Sequence, residues 1–278
     1  MKFNKLFKAT TFGLLATALV ACGNNSAKSE STTEAAKAED KTIKVVASPA
    51  PHAEILEAAK PILEKEGYKL EINIVNDYVT PNNIVYGGDA DANYFQHTPY
   101  LDKFNKEHNQ DLVSVGNVHI EPMAIYSKKY KSFKDIKDGA KIAIPSDSTN
   151  EGRALILLHS NRVIKLKDPK NLLATPNDII SNPKKIKFQE LDAALLPRTL
   201  DSVDGAIITA NYALQAGFVP SKDALLLEDK NSPYVNVLAV KKENLNNPDI
   251  KKLAKALTSE KAKKFINENY KGAVVPAF

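Results

Sequence analysis

The densest run of chemically capable side chains is Asp91-Ala-Asn-Tyr-Phe-Gln-His-Thr-Pro-Tyr100. It places Tyr94, Phe95, His97 and Tyr100 within seven residues. The run has no clear periodicity and carries Pro99 near its end, so it reads as a loop. Aromatic faces offer a ligand a large contact area, and a thioether sulfur gains about 0.3–1.5 kcal/mol against a ring. The same types equally suit a core, with Tyr94 and Phe95 buried and His97 capping a helix. Arg153 follows the N-capping types Ser146 to Asn150 and is expected in the first turn of a helix. There the free N–H groups and the dipole favour anions, and a guanidinium can grip a carboxylate through two bonds. Its other reading is a surface ion pair with Glu151. Asn211, at a strand-to-helix junction, and Asn236, on a later strand, offer amide donors and acceptors.

His52, His97 and His119 with Glu54 and Glu121 offer nitrogen and oxygen donors to a metal. Their spacing carries no metal signature, so no metal site is assigned and no cofactor is expected. Asp89 and Asp91 follow Gly87-Gly88 and read as turn residues rather than an acid–base pair. The GxSxG, HExxH, GxGxxG, Walker A and CxxC patterns are absent, and no enzyme is inferred.

The elements that must hold these side chains alternate between strand and helix. Ile43 to Ala47 is strand-like, a helical face of Ile55, Leu56, Ala59, Ile62 and Leu63 follows, and Leu70 to Val75 alternates as a second strand. Pro61 predicts a kink or an early stop in that helix. This is a βαβ unit, which makes a right-handed crossover to a parallel sheet. A second series has strands at Lys141 to Pro145, Ile186 to Phe188 and Ala206 to Thr209, with helices around Arg153 to Leu158 and Asn211 to Ala216. Val235 to Val240 reads as a returning strand, and Asp249 to Asn269 as one C-terminal helix. Connections near 119–127 and 234–240 suit two lobes with a cleft between them, where α/β folds place ligands. A single α/β domain is the plainer alternative.

The chain has 278 residues with a formal net charge of +5, one cysteine and no tryptophan. Lys2, Lys5 and Lys8 precede an uncharged run to Cys22, too short and too rich in Thr, Ala and Gly for a membrane span. The stretch Leu19-Val20-Ala21-Cys22 resembles a bacterial lipobox, so residues 1–21 are expected to be a cleaved signal peptide and Cys22 the lipidation site. Residues 22–41 lack large apolar side chains and are expected to be a flexible tether. Without the three leader lysines the charge is near neutral, which removes any case for a nucleic-acid partner.

Read together, the segments resemble the methionine-binding lipoproteins of ABC importers, the NlpA/MetQ family. They are Pro51-His-Ala-Glu-Ile-Leu56, Asp77-Tyr78-Val-Thr-Pro-Asn82, Asp91 to His97, Glu121-Pro-Met-Ala-Ile-Tyr-Ser127 and Thr149-Asn-Glu-Gly-Arg-Ala-Leu155. Leu196-Pro-Arg198, Asn211 to Gly217, Ser232-Pro-Tyr-Val-Asn236 and Pro276-Ala-Phe278 complete the match. The resemblance implies an α/β, two-lobed, periplasmic-binding-protein-like (type II) fold with two crossing strands and an interlobe cleft. Lobe 1 would be 42–125 plus 234–278, and lobe 2 would be 126–233. It implies a monomer, lipid-anchored on the extracytoplasmic face of the cell membrane, that delivers methionine to the permease and ATPase subunits of an importer. Arg153 would pair with the ligand carboxylate, with Asn150 nearby, while Asn211 and Asn236 would bond its amino and carboxylate groups. Tyr78, Phe95, His97 and Tyr100 would surround its side chain. Thr209 and Ala210 depart from the family's usual Asn-Thr, which leaves open a methionine-containing dipeptide or another apolar amino acid. A metal-binding lipoprotein is the more distant alternative.

Overall fold

The computed structural model describes residues 41–229 and 231–278. The expected signal peptide, Cys22 and the tether as far as residue 40 lie outside the described residues. In the first series, β1 (Thr42–Ala47), α1 (Glu54–Glu64), β2 (Lys69–Ile74), α2 (Thr80–Gly87), β3 (Ala92–His97), α3 (Thr98–His108) and β4 (Leu112–Ile120) alternate. As expected, β1 and β2 pair in parallel, with Thr42 opposite Lys69. The second series holds β5 (Ala124–Tyr126), β6 (Lys141–Pro145), α4 (Ser148–Ser160), β7 (Lys165–Leu166), β8 (Ile179–Ser181) and β9 (Lys187–Leu191). It continues with α5 (Leu196–Thr199), β10 (Gly205–Ile208), α6 (Ala210–Gln215), α7 (Pro220–Asp223) and β11 (Leu226–Leu227). The chain then returns as β12 (Val235–Lys241), α8 (Pro248–Leu257), α9 (Glu260–Tyr270) and β13 (Val275–Pro276).

Two principal sheets result, ordered β13-β4-β12-β3-β1-β2 and β11-β5-β10-β6-β9. This is the two-lobed arrangement expected of the sequence. Each sheet is covered on both faces, as parallel strands require. One face of the first packs Val45, Tyr94 and Leu238 with Ile55, Leu253 and Ile266 of α1, α8 and α9. Its other face packs Val46 and Val237 with Val85 and Leu101 of α2 and α3. Ile142, Ile144 and Ile207 of the second sheet meet Leu155 and Leu158 of α4, while Ala143, Ala206 and Ile208 meet Leu196 and Tyr212. The chain passes from the first sheet to the second through Glu121-Pro122-Met123, between β4 and β5, and re-enters the first at β12.

Four local expectations are corrected. Helix α1 runs through Pro61 to Glu64. Pro61 lies on the exposed side, while Ile55, Leu56, Ala59 and Leu63 are wholly buried, so packing outweighs the lost helix bond. The expected aromatic loop is the strand β3, with all six residues buried. It lies between β1 and β12, so neither face needs to alternate, and Pro99 falls in the first turn of α3, where proline is tolerated. The single C-terminal helix is two, because Ser259 caps a new N-terminus by accepting from the Ala262 N–H at 3.2 Å. Finally, α4 begins at Ser148 under an Asp147 cap, which puts Arg153 in its second turn.

Candidate functional site

A narrow cavity lies between the elements of the two sheets. All eight residues expected to bind ligand line it: Tyr78, Phe95, His97, Tyr100, Asn150, Arg153, Asn211 and Asn236. Gln96, Glu121, Thr209 and Ala210 line it as well. The first sheet supplies the aromatic side through an irregularity in β3. Val237 faces Gln96 but Leu238 faces Tyr94, so Phe95 is an extra residue opposite β12. A bulge of this kind redirects side chains, and it lets three consecutive residues, Phe95, Gln96 and His97, reach one cavity. Beneath them the buried amides of Asn82, Asn93 and Gln96 bond one another at 2.6–3.0 Å, which holds the strand in register.

His97 caps a helix, one of its two expected roles, and also lines the cavity. Its Nδ1 accepts the Tyr100 backbone N–H at 3.1 Å, capping α3. That assigns the ring proton to Nε2, which donates to Asn150 Oδ1 at 3.1 Å. Burial, reinforced by the Arg153 charge, holds its pKa down to about 3, so the ring is neutral. Tyr78, Phe95 and Tyr100 gather around it with ring centroids 5.8–6.1 Å apart. The Tyr100 hydroxyl donates to the Tyr78 carbonyl at 2.8 Å, and burial pushes its pKa up. The aromatic side is therefore apolar, neutral and internally bonded.

The opposite side presents charge and amides. Arg153 is 3% exposed and does not pair with Glu151; its partner is Glu228. Nε donates to both Glu228 oxygens at 3.0 and 3.1 Å, and Nη2 donates to Glu228 and to the Glu121 carbonyl. The guanidinium also lies 4.4 Å from the centre of the Tyr234 ring. Burial alone would lower its pKa, but the Glu228 carboxylate and its hydrogen bonds outweigh that and raise it. Of the five guanidinium N–H donors, these bonds use those on Nε and Nη2, and none involves Nη1. Gly152 lets α4 come this close, since a Cβ there would meet the Leu172 carbonyl oxygen at 2.2 Å.

Asn211 opens α6 and is 2% exposed. Its Oδ1 accepts the Tyr78 hydroxyl at 2.7 Å, while Tyr78 also meets Thr209 Oγ1 at 2.9 Å. Its Nδ2 is buried with no partner among the described residues. An unpaired buried amide costs about 1–3 kcal/mol unless an acceptor completes it. Asn236 Oδ1 accepts from His52 Nε2 at 3.0 Å. The site thus offers unspent donors, Arg153 Nη1 and Asn211 Nδ2, beside a neutral aromatic pocket. That pattern suits a small anion carrying an apolar tail.

Of the five residues with metal-ligand chemistry, the structure brings together His52, His119 and Glu121, whose donor atoms lie within 4.8 Å of one another. His97 is committed to Asn150, and Glu54 bonds the Tyr270 hydroxyl instead. Sequence reasoning missed Glu228 and the cavity position of Glu121. The first is 75 residues from Arg153 and leaves no local signal. The second stood within a quoted motif, and its acidic residue in the strand-like connection near 119–127 was the available clue.

Two α/β lobes around one polar and aromatic cavity define a solute-binding protein of the type II class. The chain belongs to the NlpA lipoprotein family, whose model matches residues 43–278. It is 44% identical over 220 residues to the D-methionine-binding lipoprotein MetQ of Salmonella typhi, covering 78% of this chain and 81% of that one. It is 44% identical to the membrane lipoprotein TpN32 of Treponema pallidum, covering 86% and 89%. Among solved structures it resembles a nutrient-binding protein from Burkholderia cenocepacia bound to methionine. That match has a TM-score of 0.82 at 47% identity and covers 85% of this chain and all of the other. No helix among the described residues is long and apolar enough to cross a membrane.

Proposed function

We propose that the protein captures methionine outside the cytoplasm and delivers it to the permease and ATPase subunits of an ABC importer. One observation carries the reading: the unpartnered Asn211 Nδ2 and the unused Nη1 of Arg153 share a cavity with Phe95, His97, Tyr78 and Tyr100. A carboxylate completes the donors, while the neutral rings receive an apolar thioether chain. Asn150 acts through His97, its Oδ1 accepting from the ring Nε2–H with the two heavy atoms 3.1 Å apart. The names of the relatives, and the methionine in the Burkholderia structure, support the same ligand.

The protein works as a monomer and binds without catalysis. Lobe 1 comprises 42–125 and 234–278, lobe 2 comprises 126–233, and the cleft closes on ligand by motion at the two connections between them. A signal peptide over 1–21 directs export, and diacylation of Cys22 anchors the protein through the 22–41 tether. Native mass spectrometry of the full-length lipoprotein as purified, followed by a thermal-shift screen, tests this function. Methionine is expected to co-purify and to raise the Tm with concentration, as a ligand of the folded state must. Stabilisation by a methionine-containing dipeptide alone would move the ligand to that class, and stabilisation by zinc or manganese alone would refute the function.

A further inference from the structure

Folding gathers the positive charge of the chain at one place. In the second sheet β6 runs parallel to β9 and β10, with Lys141 opposite Lys187 and Ile142 opposite Gly205. The carboxyl ends of β6 and β10 lead to Asn150, Arg153 and Asn211 at the cavity, so their amino ends lie at the other end of the lobe. Four segments meet there: 127–141, 161–167, 182–187 and 200–205. Backbone bonds join them, from the Gly139 N–H to the Lys184 carbonyl at 2.7 Å and from the Asp204 N–H to the Lys141 carbonyl at 2.9 Å. Phe133, Ile136, Val163, Ile164 and Ile186 pack in one cluster beneath them.

These four segments carry eleven lysines and Arg162 against four aspartates, a formal charge of +8. The rest of 42–278 carries twenty lysines and arginines against twenty-five acidic residues, a formal charge of −5. A near-neutral total therefore hides one strongly basic end. Among the described residues, the ion pairs at this end are Lys128 with Asp201 at 2.8 Å and Lys129 with Asp204 at 3.2 Å. The other cations there are exposed, apart from the half-buried Lys184. Like charges gathered this closely repel one another, and an anionic surface relieves that repulsion. Beside them Ile180 is 58% exposed on β8, next to Ser181, which pairs with Lys165 across the two-stranded ladder. An apolar side chain among lysines suits a lipid interface, where headgroups meet the charge and the acyl boundary receives the isoleucine.

We propose that this basic end of the second lobe is a docking surface for anionic phospholipid headgroups. Charge complementarity carries the choice of partner. The anchor proposed at Cys22 keeps the lobe within reach of a bilayer, since about 20 residues of tether extend to about 70 Å. An acyl anchor and a basic patch together hold a protein to a membrane more firmly than either alone. The proposal does not depend on the identity of the ligand, because the basic end and the cavity lie at opposite ends of the same strands. Lipid at one end leaves the other free.

The chain has no tryptophan, so Ile180→Trp supplies a single emission reporter at this end. The full chain carrying it is added to vesicles of phosphatidylcholine alone, and to vesicles of phosphatidylcholine and phosphatidylglycerol in equal parts. A blue shift and quenching by brominated lipid are expected on the anionic vesicles only. Both are expected to vanish at about 1 M salt, where the Debye length falls to about 3 Å. Leu195→Trp, placed after the carboxyl end of β9 and so at the cavity end of the lobe, is expected to stay unshifted on both. Adding Lys134→Glu, Lys137→Glu and Lys185→Glu to the reporter is expected to abolish the shift, because each lysine near an anionic bilayer strengthens binding about fivefold. A matched set on α8 and α9, Lys251→Glu, Lys255→Glu and Lys261→Glu, changes the net charge equally and is expected to preserve it. Equal shifts on the two vesicle types, or no shift on either, overturn the proposal. Equal loss in the two lysine sets also overturns it, as the mark of overall charge rather than of this end. Calorimetric binding of tripolyphosphate without any lipid-induced shift would overturn it in favour of a soluble phosphate ligand.

Discussion

The two sides of the cavity are built on opposite terms. On the side of β3 and α3, His97 uses both ring nitrogens within the protein, and the Tyr100 hydroxyl is bonded to Tyr78. On the side of α4 and α6, Arg153 keeps Nη1 out of its protein hydrogen bonds, and Asn211 Nδ2 is buried without a partner. The first side is complete before any ligand arrives, because neutral rings bury at no electrostatic cost. The second holds one donor, Asn211 Nδ2, that is costly to bury unpaired and that an acceptor would complete. On the proposed function, the aromatic side would set the shape of the ligand, and the amide and guanidinium side its charge. Hydrogen bonds from Tyr78 to Asn211 and from His97 to Asn150 tie the two sides directly.

If this division is right, the largest effect comes from the charged side. Arg153→Ala is expected to cost about 2–5 kcal/mol of methionine affinity by isothermal titration. The same variant strands Glu228, so its Tm should fall as well. Unchanged affinity in a folded Arg153→Ala protein would remove the anion end from the site. Next, Gly152→Ala should destabilise the protein by about 1–3 kcal/mol in chemical denaturation, because the new Cβ meets backbone rather than a movable side chain. A stable Gly152→Ala protein would mean that α4 can shift without loss, contrary to a rigid charged side.

Asn211→Ala removes the unpaired donor together with the acceptor for Tyr78, and about 1–3 kcal/mol of affinity is expected to go with them. Tyr100→Phe, on the finished side, should cost about 1 kcal/mol or less, mostly in stability, because it deletes a bond within the protein. Reversed magnitudes for these two would break the comparison. A last test of the finished side concerns pH. His97 has its pKa lowered from 6.5 to about 3, so between those values the unfolded chain binds a proton that the folded one refuses. Its contribution is fully present above about pH 6.5 and declines by up to about 1.4 kcal/mol per unit as pH falls toward 3. The groups against this ring are Asn150, Tyr100, Tyr234 and the permanently charged Arg153. His97→Gln lacks the titration, so its Tm deficit relative to wild type should shrink on acidification; a constant deficit would show that His97 carries no proton linkage.

Much of the site was legible because its residue types stand close together in the chain. Tyr94 to Tyr100 drew attention through density, and Arg153 through the capping residues before it. The resemblance joined Asn211, Asn236 and Tyr78 to them, and these reach one cavity with Phe95, His97, Tyr100 and Arg153, while Tyr94 is in the core instead. The departures at Thr209 and Ala210 also fall on the cavity wall. The fold was legible in its strand and helix order but less so in its breaks. Pro61 failed to stop α1 and Ser259 split the last helix, because burial in the first case and a local cap in the second outweighed the pattern.

By itself the sequence determined which side chains could bind, where α/β units begin, and that the single cysteine ends a run resembling a lipobox. These are local properties, carried by neighbouring residues and their periodicity. Only the tertiary structure decided that β3 is a buried strand with Phe95 bulged into the cavity, since that depends on β12 arriving from far along the chain. Only it decided that Arg153 pairs with Glu228 and that Glu121 stands between His52 and His119. Charges in a folded interior choose partners by distance and desolvation, and neither is written in sequence separation.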